Sequence, residues 1–401
     1  MSVFKNKSFL SLVIIRLLIN MADSLFYIVT LWYVSSKSPL LTGVAVFCFT
    51  LPENFNFIVG PFIDHFNAKK ILLFANIGQV ILTVILVLLL HLNLMNIYLL
   101  FFIILLSTFL SSITYPIEET MIPNLVKNKE LVTANSIMDI TYKIVDLLFN
   151  GISGLLVSLF TIYILYKVNL VLFIMPLILM KFVKFNYKPS DEIEEFNFKV
   201  YKRELIDGFK VLGESAFRMM LVTLVIINLF HSINAVGFPY FARKFDNSEL
   251  MYGILMSVRA AGSFCGAILV NFVQQKLNPG KFIAFGSVIE GVFWIFMCLT
   301  DNVILVYIFL FLSYLFFGAI NIMYASMFQA LIPREFLGRA SATLDSVITL
   351  AMPIGSIIGG VLVSNIHINN TMILYGICLT VIGVYYCFNK NIYGIPKLEN
   401  L

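Results

Sequence analysis

Charge is scarce in this 401-residue chain: Asp, Glu, Lys and Arg make up 12% of it, against 60% hydrophobic and 15% aromatic residues. So little charge excludes a water-soluble globule, because the chain has too few polar side chains to coat its own apolar bulk. Cysteine is as thin. Cys48, Cys265, Cys298, Cys378 and Cys387 all fall inside apolar runs and in no CxxC spacing, so neither a disulfide framework nor a thiolate metal site follows. The sequence has no Walker A, HExxH or GxSxG stretch, and no Cys/His cluster. ATP hydrolysis as an energy source and intramembrane hydrolysis therefore have no support.

What is present in quantity is the long apolar run. A helix needs roughly 20 apolar residues to cross a bilayer, and the ten-residue alternation of a membrane barrel is missing. The runs place spans at 9–34, 42–63, 71–91, 97–119, 132–157, 161–182, 218–241, 250–272, 281–299, 303–330, 340–365 and 371–389. Lys5 and Lys7 precede the first run, but its length, Arg16 and Asp23, and the lack of a small-residue cleavage site make it a span and not a signal peptide. Of the 27 Lys and Arg, only Lys37, Arg243 and Lys244 fall on the side opposite the N-terminus, with Arg16, Lys143, Lys167 and Arg259 inside spans. The positive-inside rule then puts both termini in the cytoplasm of a multi-pass cell-membrane protein. The net charge of +5 reflects that bias and gives nucleic-acid binding no separate support.

One polar interval, residues 181–216, divides the spans six and six. The expected domains are a bundle over 1–182, a cytoplasmic linker over 183–216 and a second bundle over 217–401. Leu205, Phe209 and Leu212 among Lys202, Arg203, Glu204 and Lys210 read as an amphipathic helix on the inner surface. At an offset of 210, PLLTGV (39–44) aligns with ELMYGI (249–254) and MIPNLVKNKE (121–130) with LIPREFLGRA (331–340). Similar wording at equivalent places in two six-span halves indicates a duplication, and such halves suit alternating access.

Between spans two and three lies GPFIDHFNAKK, residues 60–70. Gly60 permits close helix approach, Asp64 can accept hydrogen bonds at a neighbouring helix N-terminus, and Lys69 and Lys70 hold the loop at the inner interface. The stretch resembles motif A of the major facilitator superfamily, G-x-x-x-D-[RH]-x-x-[RK]-[RK], with Gly60, Asp64, His65, Lys69 and Lys70 in its places. Asn67 stands where glycine is common, and asparagine tolerates left-handed geometry better than most residues. Residues 115–137, 204–212 and 327–360 are similar to the drug/proton antiporter branch that contains the macrolide-efflux proteins. The resemblance implies an all-α fold of twelve transmembrane helices in two six-helix pseudo-repeats. It also implies that Asp64 meets the start of span eleven near Arg339 and locks the outward-open form. The second-half counterpart, NFVQQKLNPGK (271–281), has Gln275 where an acid would align, so the lock is expected on one side only.

Charges inside spans cost about 2.5–3.5 kcal/mol each at a helix centre, so they should face a cavity or a partner. Asp139, Lys143 and Asp146 share one face of span five. They read as a proton-coupling group in which Lys143 exchanges between two acids, or equally as a static ion cluster. Asp23 is a lone mid-span carboxylate that favours its neutral form in low dielectric and is the first choice for proton coupling. Glu53, Glu290 and Asp345 are further cavity candidates, and Arg16 and Arg259 are expected as counter-charges to an acid or to anionic cargo. Glu118 and Glu119 read as interfacial, at the inner end of span four. Phe, Tyr and Met walls suit a bulky amphiphile.

The expected protein is a monomeric proton-coupled exporter of an amphiphilic small molecule, without cofactor or metal. Export of a siderophore or other metallophore is the alternative within transport. A lipid-modifying enzyme or flippase is the alternative outside it, with Glu118 and Glu119 its only candidate acids.

Overall fold

In a computed structural model, which describes residues 6–55, 67–127, 130–183, 215–273, 278–331, 344 and 346–395, the chain is helical throughout, with no strand among the described residues. The first half holds α1 (Lys7–Ser35), α2 (Pro39–Thr50), α3 (Ala68–His91), α4 (Ile97–Ser112), α5 (Thr114–Leu125), α6 (Leu131–Leu159) and α7 (Ile162–Leu179). The second holds α8 (Ser215–Ala242), α9 (Ser248–Val273), α10 (Pro279–Leu299), α11 (Val303–Leu331), α12 (Ala351–Asn365), α13 (Ile368–Phe388) and the short α14 (Lys390–Tyr393). Among the described residues, 10 helical segments are long and apolar enough to cross a membrane.

Two of the expected spans lie only in part within the described residues. In the second, α2 ends at Thr50 and Pro52 opens a 3-10 turn through Phe55, as expected where proline removes the next helical N–H; residues 56–66 lie outside the described residues. The fifth, α6, has 29 residues, about 43 Å at helical rise and so long enough to cross a bilayer, and it carries Asp139, Lys143 and Asp146. The fourth span is also broken. Pro116 has no N–H to offer the Ser112 carbonyl, and α4 gives way to α5 at Ile113.

The chain divides into two compact units, residues 1–33 with 48–197 and residues 34–47 with 198–401. In the first, one stripe of α1 (Phe9, Leu12, Ile15, Ile19) packs on Ala68 and Leu72 of α3 and on Ile117, Met121 and Ile122 of α5. Helical spacing makes that stripe continuous. The opposite face of α3 exposes Phe74, Ile81 and Leu88, an arrangement stable only where hydrocarbon replaces water. Gln79 Nε2 donates to the Ser107 carbonyl at 2.9 Å and clasps α3 to α4. Asn67 caps α3 from an extended backbone, φ −67°, its side chain accepting the Lys70 N–H at 3.2 Å. The left-handed turn expected of it is not used; asparagine serves here as an N-cap.

In the second unit α9 and α11 pack backbone to backbone. A Cβ on Gly266 would lie 1.9 Å from the Leu315 carbonyl oxygen, and one on Gly318 would lie 2.1 Å from that of Ser263, so small residues set the interhelical distance. Trp294 Nε1 donates to the Met372 carbonyl at 2.7 Å and ties α10 to α13. Within the same unit Arg243 Nη2 donates to Ser35 Oγ at 2.9 Å, and Thr42 Oγ1 and the Tyr240 hydroxyl share a hydrogen bond of 3.0 Å. Those contacts account for residues 34–47 belonging to it.

Gly266→Ala should therefore force α9 from α11 and destabilise the protein by about 1–3 kcal/mol. Gly78→Ala should cost far less, because the new methyl would meet only the flexible end of the Leu110 side chain. The thermal midpoints of the two variants in detergent check this, and equal midpoints would refute the close packing.

Candidate functional site

Among the described residues, each unit holds charged side chains deep in its helices. In the first, Arg16 and Asp23 stand two turns apart on α1, hence on nearly one face. Arg16 is buried, and its Nε donates to Glu118 Oε2 of α5 in an ion pair shielded from solvent. Its guanidinium lies 4.0 Å from the centre of the Tyr115 ring, and Nη2 donates to the Tyr115 carbonyl at 3.4 Å. The break at Ile113 makes this possible by re-aiming Tyr115 and Glu118 while leaving Ser111 on α4. Ser111 Oγ donates to Asp23 Oδ2, so neighbouring turns of one broken span serve both charges on α1. Asn169 of α7 holds the facing side of α1 through the Ala22 carbonyl, at 2.6 Å.

Glu118 thus corrects an expectation: it is a buried partner of Arg16 and not an interfacial acid. Its position three residues after Tyr115, in a span interrupted by proline, was the signal available in the sequence. A buried ion pair gains little over an apolar pair, yet breaking it by removing one partner costs about 3–5 kcal/mol.

The second centre draws on α8, α9, α10, α11 and α13. Glu290 sits mid-way along α10, 3% exposed, and accepts a hydrogen bond of 3.3 Å from the Tyr375 hydroxyl of α13. The Tyr375 ring meets Trp294 edge-on at 5.0 Å and the His231 imidazole at 6.1 Å. His231 stacks on Phe317 at 5.8 Å and 10°. Arg259, half-buried on α9, lies 5.3 Å from the Tyr314 ring and 5.7 Å from Phe238, distances at which the ring faces attract a cation. Glu290 and Arg259 are therefore brought into one aromatic frame, and His231, one of only four histidines, joins them unanticipated. A histidine in the middle of an apolar run was the clue.

The remaining expected residues are dispersed. Lys69 Nζ donates to the Val183 carbonyl at 2.5 Å, and Lys70 is capped through its N–H by Asn67. Glu53 lies in the 3-10 turn after α2 and is exposed. Asp139, Lys143 and Asp146 share a face of α6 by their spacing, but their side chains lie outside the described residues, as do Gly60, Asp64, His65, Arg339 and Asp345 entirely. The linker over 184–214, with its expected amphipathic helix, and Gln275 are outside them too. Among the described residues no group of His, Cys, Asp and Glu is arranged to hold a metal.

A family model described as transmembrane secretion effector, one of the major facilitator families, matches residues 1–397. Solved transporters share the fold at low identity. The nucleoside transporter NupG superposes with a TM-score of 0.76 at 13% identity, covering 95% of this chain and 100% of that one. A bacterial homologue of the human lysosomal transporter Spinster, inward-facing and unoccupied, gives 0.68 at 14% identity over 97% of this chain and 98% of that one. The peptide transporter POT in complex with alafosfalin gives 0.73 at 12% identity over 98% and 96%. No curated protein sequence matches significantly.

The ion pair makes a direct test. Arg16→Met should lose about 3–5 kcal/mol by removing the countercharge of the Glu118 carboxylate, and Arg16→Met with Glu118→Leu should recover most of it. Folded yield and thermal midpoint read both; a double variant no better than the single would show that the pair does not hold these helices.

Proposed function

We propose a direction, a driving force and a cargo for this chain from the premise that it belongs to the transmembrane secretion effector family of the major facilitator superfamily. As a member it is a multi-pass secondary transporter, not an enzyme, and needs no cofactor. Our reading is export of an amphiphilic small molecule in exchange for protons across the cell membrane, by alternating access, with both termini cytoplasmic.

The Glu290 arrangement carries this reading. A carboxyl held by a hydroxyl keeps its hydrogen bond in either protonation state, because Tyr375 can donate to the carboxylate or accept from the acid. Proton uptake and release there leave no stranded countercharge, unlike at a carboxylate paired with a cation. Asp23 of α1 likewise accepts from a hydroxyl in the first unit, that of Ser111 on α4. Arg16 and Glu118 by contrast serve as the fixed pair that holds α1 to α5.

Export is supported by the family's secretion description and by the similarity of residues 115–137, 204–212 and 327–360 to the drug/proton antiporters. An amphiphilic cargo is supported by the rings around Glu290 and Arg259, which offer wide apolar contact beside a few polar groups. Arg259 also favours a second reading, a dedicated anionic metabolite such as a metallophore, whose charge would replace part of the ring contacts of the guanidinium. In both readings Gly60, Asp64, His65, Lys69, Lys70 and Arg339 form the gate, and Asp139, Lys143, Asp146 and Asp345 belong to the coupling or cavity groups.

Cells stripped of their own multidrug exporters and expressing this chain should extrude ethidium or a bisbenzimide dye faster than controls, and a protonophore should abolish the difference. Glu290→Gln and Asp23→Asn should each leave folded protein and lower proton-driven extrusion about tenfold or more. Extrusion that survives the protonophore, or that both variants perform at the wild-type rate, would contradict proton coupling through these groups.

A further inference from the structure

One end of the second unit is one-sided in charge. α8 and α10 begin there and α13 ends there, since Gly280 packs on the Ile392 carbonyl and the Tyr386 hydroxyl meets Thr223 Oγ1. Among the described residues this end carries Arg218, Lys281 and Lys390 and no Asp or Glu. Lys281 is held by the Tyr393 ring, 5.3 Å away. Arg218 is exposed, and among the described residues no hydrogen bond or ion pair engages its side chain.

A groove of about 260 Å³ opens beside Arg218, lined by Met219, Val222 and Thr223 of α8 and by Tyr385 of α13. The polar atoms of its walls are bonded within the protein. The Thr223 hydroxyl donates to the Met220 carbonyl at 2.8 Å, and Asn389 Nδ2 donates to the Tyr385 hydroxyl at 3.0 Å while lying 3.2 Å from Met219 Sδ. What faces outward is apolar, with Val222 55% and Tyr385 41% exposed. The groove is thus a trough open to hydrocarbon, with a tyrosine and an unengaged guanidinium beside it. Tyrosines favour the headgroup level of a bilayer, and a guanidinium presents a planar fork that fits a phosphate.

We propose that this groove binds an anionic phospholipid of the leaflet at this end, the inner one by the positive-inside rule. Its phosphate rests on the Arg218 guanidinium, and its glycerol and first acyl carbons lie along Met219, Val222 and Tyr385. A zwitterionic lipid offers the same phosphate, but its ammonium would enter the field of Arg218, Lys281 and Lys390 with no carboxylate among the described residues to receive it. Charge selects the headgroup, and the trough holds the chain. The site requires only that the protein spans a bilayer, and it is independent of cargo and of proton coupling.

Native mass spectrometry of the purified protein, exposed in detergent to equimolar dioleoyl phosphatidylglycerol and dioleoyl phosphatidylcholine, reads the preference in the first lipid retained. Phosphatidylglycerol should be favoured about fivefold or more. Arg218→Gln should remove most of that preference, and Arg218→Lys should keep part of it. Lys281→Gln, at the same end but outside the groove, should leave it largely intact. Val222→Phe fills the trough and spares the cation, so it should lower retention of both lipids. All three positions are exposed, and the fold should survive each change. Equal retention of the two lipids by the starting protein would overturn the proposal, as would unchanged retention by Val222→Phe. A loss with Lys281→Gln as large as with Arg218→Gln would show a diffuse basic surface and no site. Displacement of the lipid by glycerol 3-phosphate would assign the groove to a soluble phosphate ester, and a dimer that Val222→Phe dissolves would assign it to a second copy; either would overturn the lipid assignment.

Discussion

Hydrocarbon offers a polar atom no hydrogen-bond partner, and most of this structure is an answer to that constraint. The backbone answers it by being helical throughout the described residues. Apolar side chains such as Phe74, Ile81 and Leu88 are free to stay on the outside. Each polar side chain inside a span must then find its partner within the protein, so partner choice divides structural groups from working ones.

The two polar centres answer differently. Arg16 and Glu118 meet charge with charge, and the Tyr115 ring covers the guanidinium. Such a pair resists change, since moving a proton or either helix strands the other member. Glu290 meets a hydroxyl, and Arg259 rests on ring faces. Neither contact loses everything when a proton or a ligand arrives. The first centre therefore suits holding α1 against α5, and the second suits exchange. Asp23 combines both characters, standing two turns from Arg16 while bonded by Ser111.

Much of this was legible in the sequence, for reasons that can be named. Apolar length placed most spans because the membrane leaves a helix few other options. The cost of buried charge was enough to single out Arg16, Asp23, Arg259 and Glu290. Partners were harder, because they come from other helices. Nothing along α1 points to Glu118, and the interruption at Pro116 that aims it at Arg16 was visible only as a proline in an apolar run. Asn67 was singled out for a turn and serves as a cap, since an isolated asparagine fits both. His231 and Tyr375 escaped notice because, in a chain with 39 phenylalanines and 18 tyrosines, one more ring carries no signal until its neighbours are known.

Cargo movement and proton movement are, on this reading, one process in this chain. Purified protein in sealed liposomes enclosing a pH indicator, without ATP, tests that most directly. An imposed gradient of a transported dye should drive protons the opposite way and shift the internal pH, with the shift lost in the Glu290→Gln protein. Dye movement in the wild-type protein that leaves the internal pH unchanged would contradict it.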